Sequence, residues 1–278
     1  MMKEPLLGVH LSIAGGVEKI FEEAERLKIN CFQIFLGSPR IWHVKEPSPE
    51  QIAFFRENLK KYKFCNVHAP YLLNFATEND KLFKSSVNRA VRDMQIMKAL
   101  GIKYYVIHPG SSPIAGGLVR VKRAIDEVLK RVSDGIILVE NLSGEKNDVG
   151  KNIEEITEII DGFGERTGIC IDTCHLFSSG VDIRSEVELS RFYDALVKNN
   201  LEKRVKMIHA NDSKKALGSK IDRHEHIGKG EIGKKGFFNL LHHPFFKTLP
   251  FILETPKEDN ADEKNLASLK TLFKLEKV

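Results

Sequence analysis

The chain has 278 residues, of which 42% are hydrophobic and 29% charged, with a formal net charge of +5. Those proportions describe a folded protein with a substantial core and exclude a disordered or collagen-like chain. No apolar run approaches the roughly 20 residues of a membrane span, and the opening Met1-Met-Lys-Glu-Pro5 lacks the apolar stretch of a signal peptide, so the expected setting is the cytoplasm.

Eight short apolar runs read as buried parallel strands: Leu6–His10, Cys31–Phe35, Phe64–His68, Tyr104–His108, Ile136–Glu140, Gly168–Asp172, Val205–His209 and Pro250–Glu254. Amphipathic segments lie between them. Val17, Ile20, Phe21, Ala24 and Leu27 recur at helical spacing, as do Val121, Ala124, Ile125, Val128, Leu129 and Val132. Ser48-Pro-Glu-Gln51 is a capping box with proline at the first helical position, and Gly101 follows a helix ending near Leu100. Strand and helix alternate every roughly 25 to 45 residues without a low-complexity linker, which predicts a single α/β domain over residues 1–278, an eight-stranded (β/α)8 TIM barrel. A doubly wound open sheet is the alternative, disfavoured because no Gly-x-Gly-x-x-Gly follows the first run.

In such a barrel the chemistry sits at the carboxyl ends of the strands. There the runs finish in His68, His108, Glu140, Asp172, His209 and Glu254, too many polar endings at one level for chance. His175 follows Asp172 by three residues and shares that rim. Asp222 and His224 stand two apart in a polar, glycine-rich segment, so in extended backbone they project to one side, as half of a metal site would. Five imidazoles and four carboxylates are too many donors for one catalytic zinc, which normally takes three protein ligands and water, and suit three ions if a carboxylate bridges. Imidazole and carboxylate together favour Zn, with Mn or Fe as substitutes. Closely spaced ions suit phosphodiester hydrolysis, and Gly228, Gly230 and Gly233 would let backbone approach a phosphate. Cys31, Cys65, Cys170 and Cys174 sit in or beside apolar runs and read as buried hydrophobes rather than disulfides or ligands. The positive charge leans toward a polyanionic partner.

Three stretches carry a family resemblance: Val67-His-Ala-Pro-Tyr-Leu-Leu-Asn74; Ile171-Asp-Thr-Cys-His-Leu-Phe-Ser-Ser-Gly180; and Asn211-Asp-Ser-Lys214 with Gly218 to Gly233. Over essentially its whole length the chain resembles the endonuclease IV family of apurinic/apyrimidinic site nucleases. The resemblance implies a barrel with three zinc ions that cleaves duplex DNA on the 5′ side of an abasic site and leaves a 3′ hydroxyl. A 3′-phosphodiesterase activity, a place in base excision repair and a monomeric state go with it. It assigns His68, His108 and Glu140 to a first zinc, Glu140, Asp172, His209 and Glu254 to a second, and His175, Asp222 and His224 to a third. Glu140 thereby bridges, and Glu254 orients the nucleophile. Arg40, Tyr71 and Leu72 take the places of the side chains that open the duplex. Departures are confined to Val181, where tyrosine is frequent, and Leu142-Ser143, where Thr-Ala is usual. His10 and His226 are left as hydrogen-bonding residues rather than ligands.

Two rivals make different use of the same residues. A sugar isomerase or epimerase would hold one ion with Glu140, Asp172, His209 and Glu254, leaving the other five donors idle. A DNA-binding module without catalysis would need no metal at all.

Overall fold

The computed structural model describes residues 4–258 and 260–275. Eight parallel strands close in the order β1-β10-β7-β6-β5-β4-β3-β2. They are β1 (Leu6–Leu11), β2 (Cys31–Ile34), β3 (Phe64–His68), β4 (Tyr104–Ile107), β5 (Ile136–Glu140), β6 (Thr167–Asp172), β7 (Val205–His209) and β10 (Pro250–Leu253). Between β7 and β10, the two-residue strands β8 (Asp212–Ser213) and β9 (His224–Glu225) pair antiparallel. Each expected run coincides with a barrel strand to within one residue at either end.

Helices connect the strands: α1 (Val17–Arg26), α2 (Pro49–Leu59), α3 (Asp80–Leu100), α4 (Gly117–Arg131), α5 (Ile153–Ile160), α6 (Thr173–Ser179), α7 (Glu186–Lys198), α8 (Gly233–His242) and α9 (Ala261–Lys274). Ser48 and Gln51 form the expected capping box at the start of α2, each side chain accepting from the other's backbone N–H. Gly101 ends α3 at φ 80, a left-handed conformation that a residue with a Cβ adopts only under strain. No described helix is long and apolar enough to cross a membrane.

Strand periodicity divides the interior into two cores, because successive side chains point to opposite faces. Outward residues such as Ile137, Val139, Ile169 and Ile171 pack under the helices in the larger cluster. Inward residues Cys31, Val106, Ile136, Leu138, Cys170, Met207 and Ile252 fill the barrel, sealed below by Leu6, Phe64 and Tyr104. Gly8 faces inward where a Cβ would stand 2.0 Å from the Cys31 carbonyl oxygen, so only glycine fits there. Above this apolar plug the same inward positions turn polar in every strand, and that layer forms the floor of the mouth.

Candidate metal centre at the barrel mouth

Strand ends deliver the first donors. His68, Glu140, Asp172 and His209 are the last residues of β3, β5, β6 and β7, while His108 and Glu254 each stand one residue beyond β4 and β10. Asp172 also caps α6, accepting from the His175 backbone N–H at 2.8 Å, and this tight strand-to-helix turn brings the His175 ring to the same rim. The β8–β9 ladder folds the long segment after β7 back over the barrel, carrying Asp222 and His224 with it.

All nine expected donors converge there. His68 Nε2 lies 3.1 Å and His108 Nε2 3.2 Å from Glu140 Oε2. His209 Nδ1 lies 3.0 Å from Glu140 Oε1 and 3.3 Å from Glu254 Oε2. His175 Nε2 is 3.1 Å from Asp222 Oδ2, and His224 Nε2 is 3.2 Å from Asp222 Oδ1. Ligand atoms of His68, His108 and Glu140, of His68, His209 and Glu254, and of His175, Asp222 and His224 each lie within 4.8 Å of one another. Asp172 is paired with His209 in the β6–β7 register, yet its Oδ2 stands 3.7 Å from His224 Nε2, at the edge of the third group.

Hydrogen bonding tests whether these residues suit cations. The Nδ1 atoms of His68, His175 and His224 face the backbone carbonyls of Ala69, Asn141 and Glu254 at 2.7, 2.9 and 3.2 Å. A carbonyl only accepts, so each Nδ1 carries hydrogen, and a neutral ring then aims the Nε2 lone pair at carboxylates that also only accept. Lone pair facing lone pair across about 3 Å is unfavourable unless positive charge lies between. His224 Nε2 is buried with no hydrogen-bond partner, an orphaned atom where a ligand belongs.

The electrostatics agree. Burial alone would raise Glu140, but the surrounding imidazoles of His209 and His108 hold its carboxyl well below the usual range. Burial likewise opposes charge on His224, yet Asp172 and Asp222 raise its imidazole to about 9. Without cations the site recruits protons onto imidazoles to balance its carboxylates, so the donor set fits divalent metal. Cys170 and Cys174 lie beside the Glu140 and Asp172 groups, but burial pushes both thiols up to about 12, against the thiolate a metal would take.

A family model described as "Xylose isomerase-like TIM barrel" matches residues 21–274. A protein named "Probable endonuclease 4" from Aquifex aeolicus (strain VF5) is 41% identical over 275 residues, covering 96% of this chain and 98% of its own. The crystal structure of endonuclease IV from Thermus thermophilus superposes with a TM-score of 0.87 at 34% identity, over 96% of this chain and 98% of that one. The chain belongs to the endonuclease IV family.

As an endonuclease IV family member it is a nuclease of the hydrolase class. A D-tagatose 3-epimerase-like protein also superposes, at TM-score 0.72 and 22% identity, which shows a shared barrel and no more. The two loops expected to meet DNA flank the centre. Tyr71 is 67% exposed, with its ring edge on Phe35, and together with Leu72 it lines a cleft of about 560 Å³ that His68, His108, His175 and Asp222 also border. Arg40 is exposed in the loop after β2. That loop is bolted from beneath by Arg89, whose Nη1 donates to the carbonyls of Ile41 and Trp42 at 2.6 and 3.1 Å while its Nε donates to Asp93 at 2.8 Å. Arg89→Met leaves the Asp93 carboxylate buried without its cation, and a loss of about 3–5 kcal/mol is expected in a denaturant melt.

One expectation is corrected. Gly228, Gly230 and Gly233 do not offer their amides to a phosphate, because all three donate to the Asp212 carboxylate at 2.9, 3.1 and 3.2 Å. Glycine is needed at 230 for this close approach: a Cβ there would stand 2.3 Å from the Ser213 carbonyl oxygen and 2.6 Å from Asp212 Oδ1. Asp212 thus organises the segment that holds Asp222 and His224. His226 meets Asn265 of α9 at 3.1 Å, and His10 meets Gln33 at 2.9 Å.

The asparagines behind the donors are absent from the expected site residues. Asn211 donates to Asp172 Oδ2 at 2.6 Å and accepts from the Glu254 backbone N–H at 2.9 Å. Asn141 accepts from the Asp172 N–H at 2.8 Å. Their position just past strand ends, Asn141 directly after Glu140 and Asn211 two residues after His209, is the signal that could have found them.

Proposed function

We propose that this chain is a zinc-dependent apurinic/apyrimidinic endonuclease of base excision repair, acting as a monomer on duplex DNA. It cleaves 5′ to an abasic site, leaves a 3′ hydroxyl and also removes 3′ blocking groups as a phosphodiesterase. His68, His108 and Glu140 hold one ion, Glu140, Asp172, His209 and Glu254 a second, and His175, Asp222 and His224 a third. The observation that carries this reading is the inward convergence of carboxylates and imidazole nitrogens at about 3 Å, with His224 Nε2 buried and without a hydrogen-bond partner.

When bound, the ions would polarise the phosphodiester, make hydroxide available at neutral pH and neutralise charge on the departing oxygen. Everything else falls to the side chains. Glu140, fully buried, ties two donor groups together through its two oxygens. Glu254 is the more accessible carboxylate, its side chain 17% exposed, and is placed to accept a proton from, or orient, a water entering the mouth. Tyr71 and Leu72 enter the unstacked duplex from the wall of the cleft, and Arg40 follows from the loop after β2.

Tyr71→Ala is expected to weaken binding of an abasic duplex by about 1–3 kcal/mol, the worth of one aromatic contact to a base, with metal content intact. Gel-shift affinity alongside elemental analysis reads both, and loss of metal would return Tyr71 to the scaffold. The function itself is tested by elemental analysis together with nicking of an abasic plasmid. About three zinc ions per chain and chelator-sensitive nicking are expected. One ion per chain with activity on a ketose would overturn the reading.

A further inference from the structure

The inward residue that β2 adds to the polar layer is Gln33, between His10 of β1 and Asn66 of β3. It is fully buried. Its Nε2 donates to Glu254 Oε1 and lies 2.9 Å from His10 Nδ1. Its Oε1 accepts from Asn66 Nδ2 and lies 2.9 Å from His209 Nε2.

The direction of this amide is fixed by chemistry. The Glu254 carboxylate only accepts, so the group facing it is the NH2, and the oxygen necessarily faces His209 and Asn66. Both of those must then donate. His209 therefore carries its hydrogen on Nε2 and offers Nδ1 to Glu140 and Glu254, the reverse of His68, His175 and His224, which are oriented through Nδ1. Those three rings take direction from backbone carbonyls, whereas His209 takes it from a side chain. Asn66 adds a second sign of purpose. Its Oδ1 is buried with no partner, so Asn66 is kept for its donor, at the expense of an unsatisfied acceptor.

We infer that Gln33, backed by Asn66, is a positioning residue for the cation held by His209 and Glu254: one amide sets which nitrogen of His209 faces the metal and holds the Glu254 carboxylate beside it. The inference rests on the metal-centre reading above and deepens it. A polar partner behind a metal ligand is worth about 10- to 100-fold in affinity, and here one residue backs two ligands of one site.

The test is competitive titration of zinc from the holoprotein with a chromophoric chelator, alongside long-range ¹H–¹⁵N spectra of histidine-labelled protein. In Gln33→Met, which keeps the volume but loses both hydrogen-bonding groups, one of three ions is expected to be released about 10- to 100-fold more readily while the other two keep their affinity. The His209 signals should lose the pattern of a ring protonated at Nε2. Gln33→Glu, which retains an acceptor for His209, should restore that pattern. If Gln33→Met does not fold, Asn66→Ala carries the same test, with a smaller shift at the same single ion. Unchanged release of all three ions, or equal weakening of all three, overturns the inference. A parent protein that binds fewer than three ions would instead overturn the metal-centre reading, a result visible before any variant is made.

Discussion

Abasic-site cleavage is expected to fall on the order of 10³-fold or more in Glu140→Gln, since even the partners behind a metal ligand are worth about 10- to 100-fold. The reason lies in what Glu140 touches. Its two oxygens lie within 3.0 to 3.4 Å of nitrogens of His68, His108, His175 and His209, so one neutralised carboxylate deprives two donor groups of their shared anion. Glutamine keeps the shape but presents an amide NH2 to rings that are themselves competing for positive charge. His108 is the natural comparison, being 32% exposed and in contact with Glu140 from one side. His108→Ala should therefore cost less in both cleavage and metal content. Steady-state nicking rates with elemental analysis of both variants decide the matter, and an equal or milder effect of Glu140→Gln would remove the bridge.

Exhaustive chelation should abolish cleavage and leave a fold whose stability depends on pH in a definite direction. In the stripped protein the Asp172 and Asp222 carboxylates raise His224 to about 9 against burial, and His175 and His209 are raised as well. An imidazole with a folded pKa above its unfolded value of about 6.5 contributes stability in full below that value and loses it as pH rises through the folded one. Glu140, Glu254 and Asp222 are held low, so their contribution is present above the unfolded carboxylate range and is lost as pH falls through their folded values. Stripped protein should then melt at progressively lower temperature between about pH 6.5 and pH 9. Bound divalent metal would replace protons as the source of positive charge, so the gap between loaded and stripped melting temperatures should widen over that interval. Parallel curves across it would show that the imidazoles are not titrating against these carboxylates.

Most of the barrel was legible because seven of the eight strands are apolar runs ending at a charged or imidazole side chain, and the ends mark the level of the mouth. Gln33 escaped for a geometric reason. Closing a sheet into a barrel staggers its strands, so the β2 residue level with the mouth lies inside the run Cys31-Phe-Gln-Ile-Phe35 and not at its end. A polar residue at an inward position of a buried strand was the available sign. The segment holding Asp222 and His224 was readable as donors, but the role of its glycines was not, because the anion they serve is Asp212, brought close only by the β8–β9 ladder. Asp172 shows another limit. Spacing along the chain places it on the rim, while the hydrogen bonds from the His175 N–H to Oδ1 and from Asn211 to Oδ2 leave Oδ2 3.7 Å from His224 Nε2.

The carbonyls that orient His68, His175 and His224 belong to Ala69, Asn141 and Glu254, but they are main-chain atoms, present whatever side chain follows. No single substitution can delete such an acceptor without bending the strand that carries it. Sequence drift at the rim can therefore alter loops and clefts while these three rings keep their aim, and the inheritance of the centre is carried largely by backbone path. His209 lacks that insurance, so on the second strand one codon change reaches the aim of a donor ring from outside the donor set.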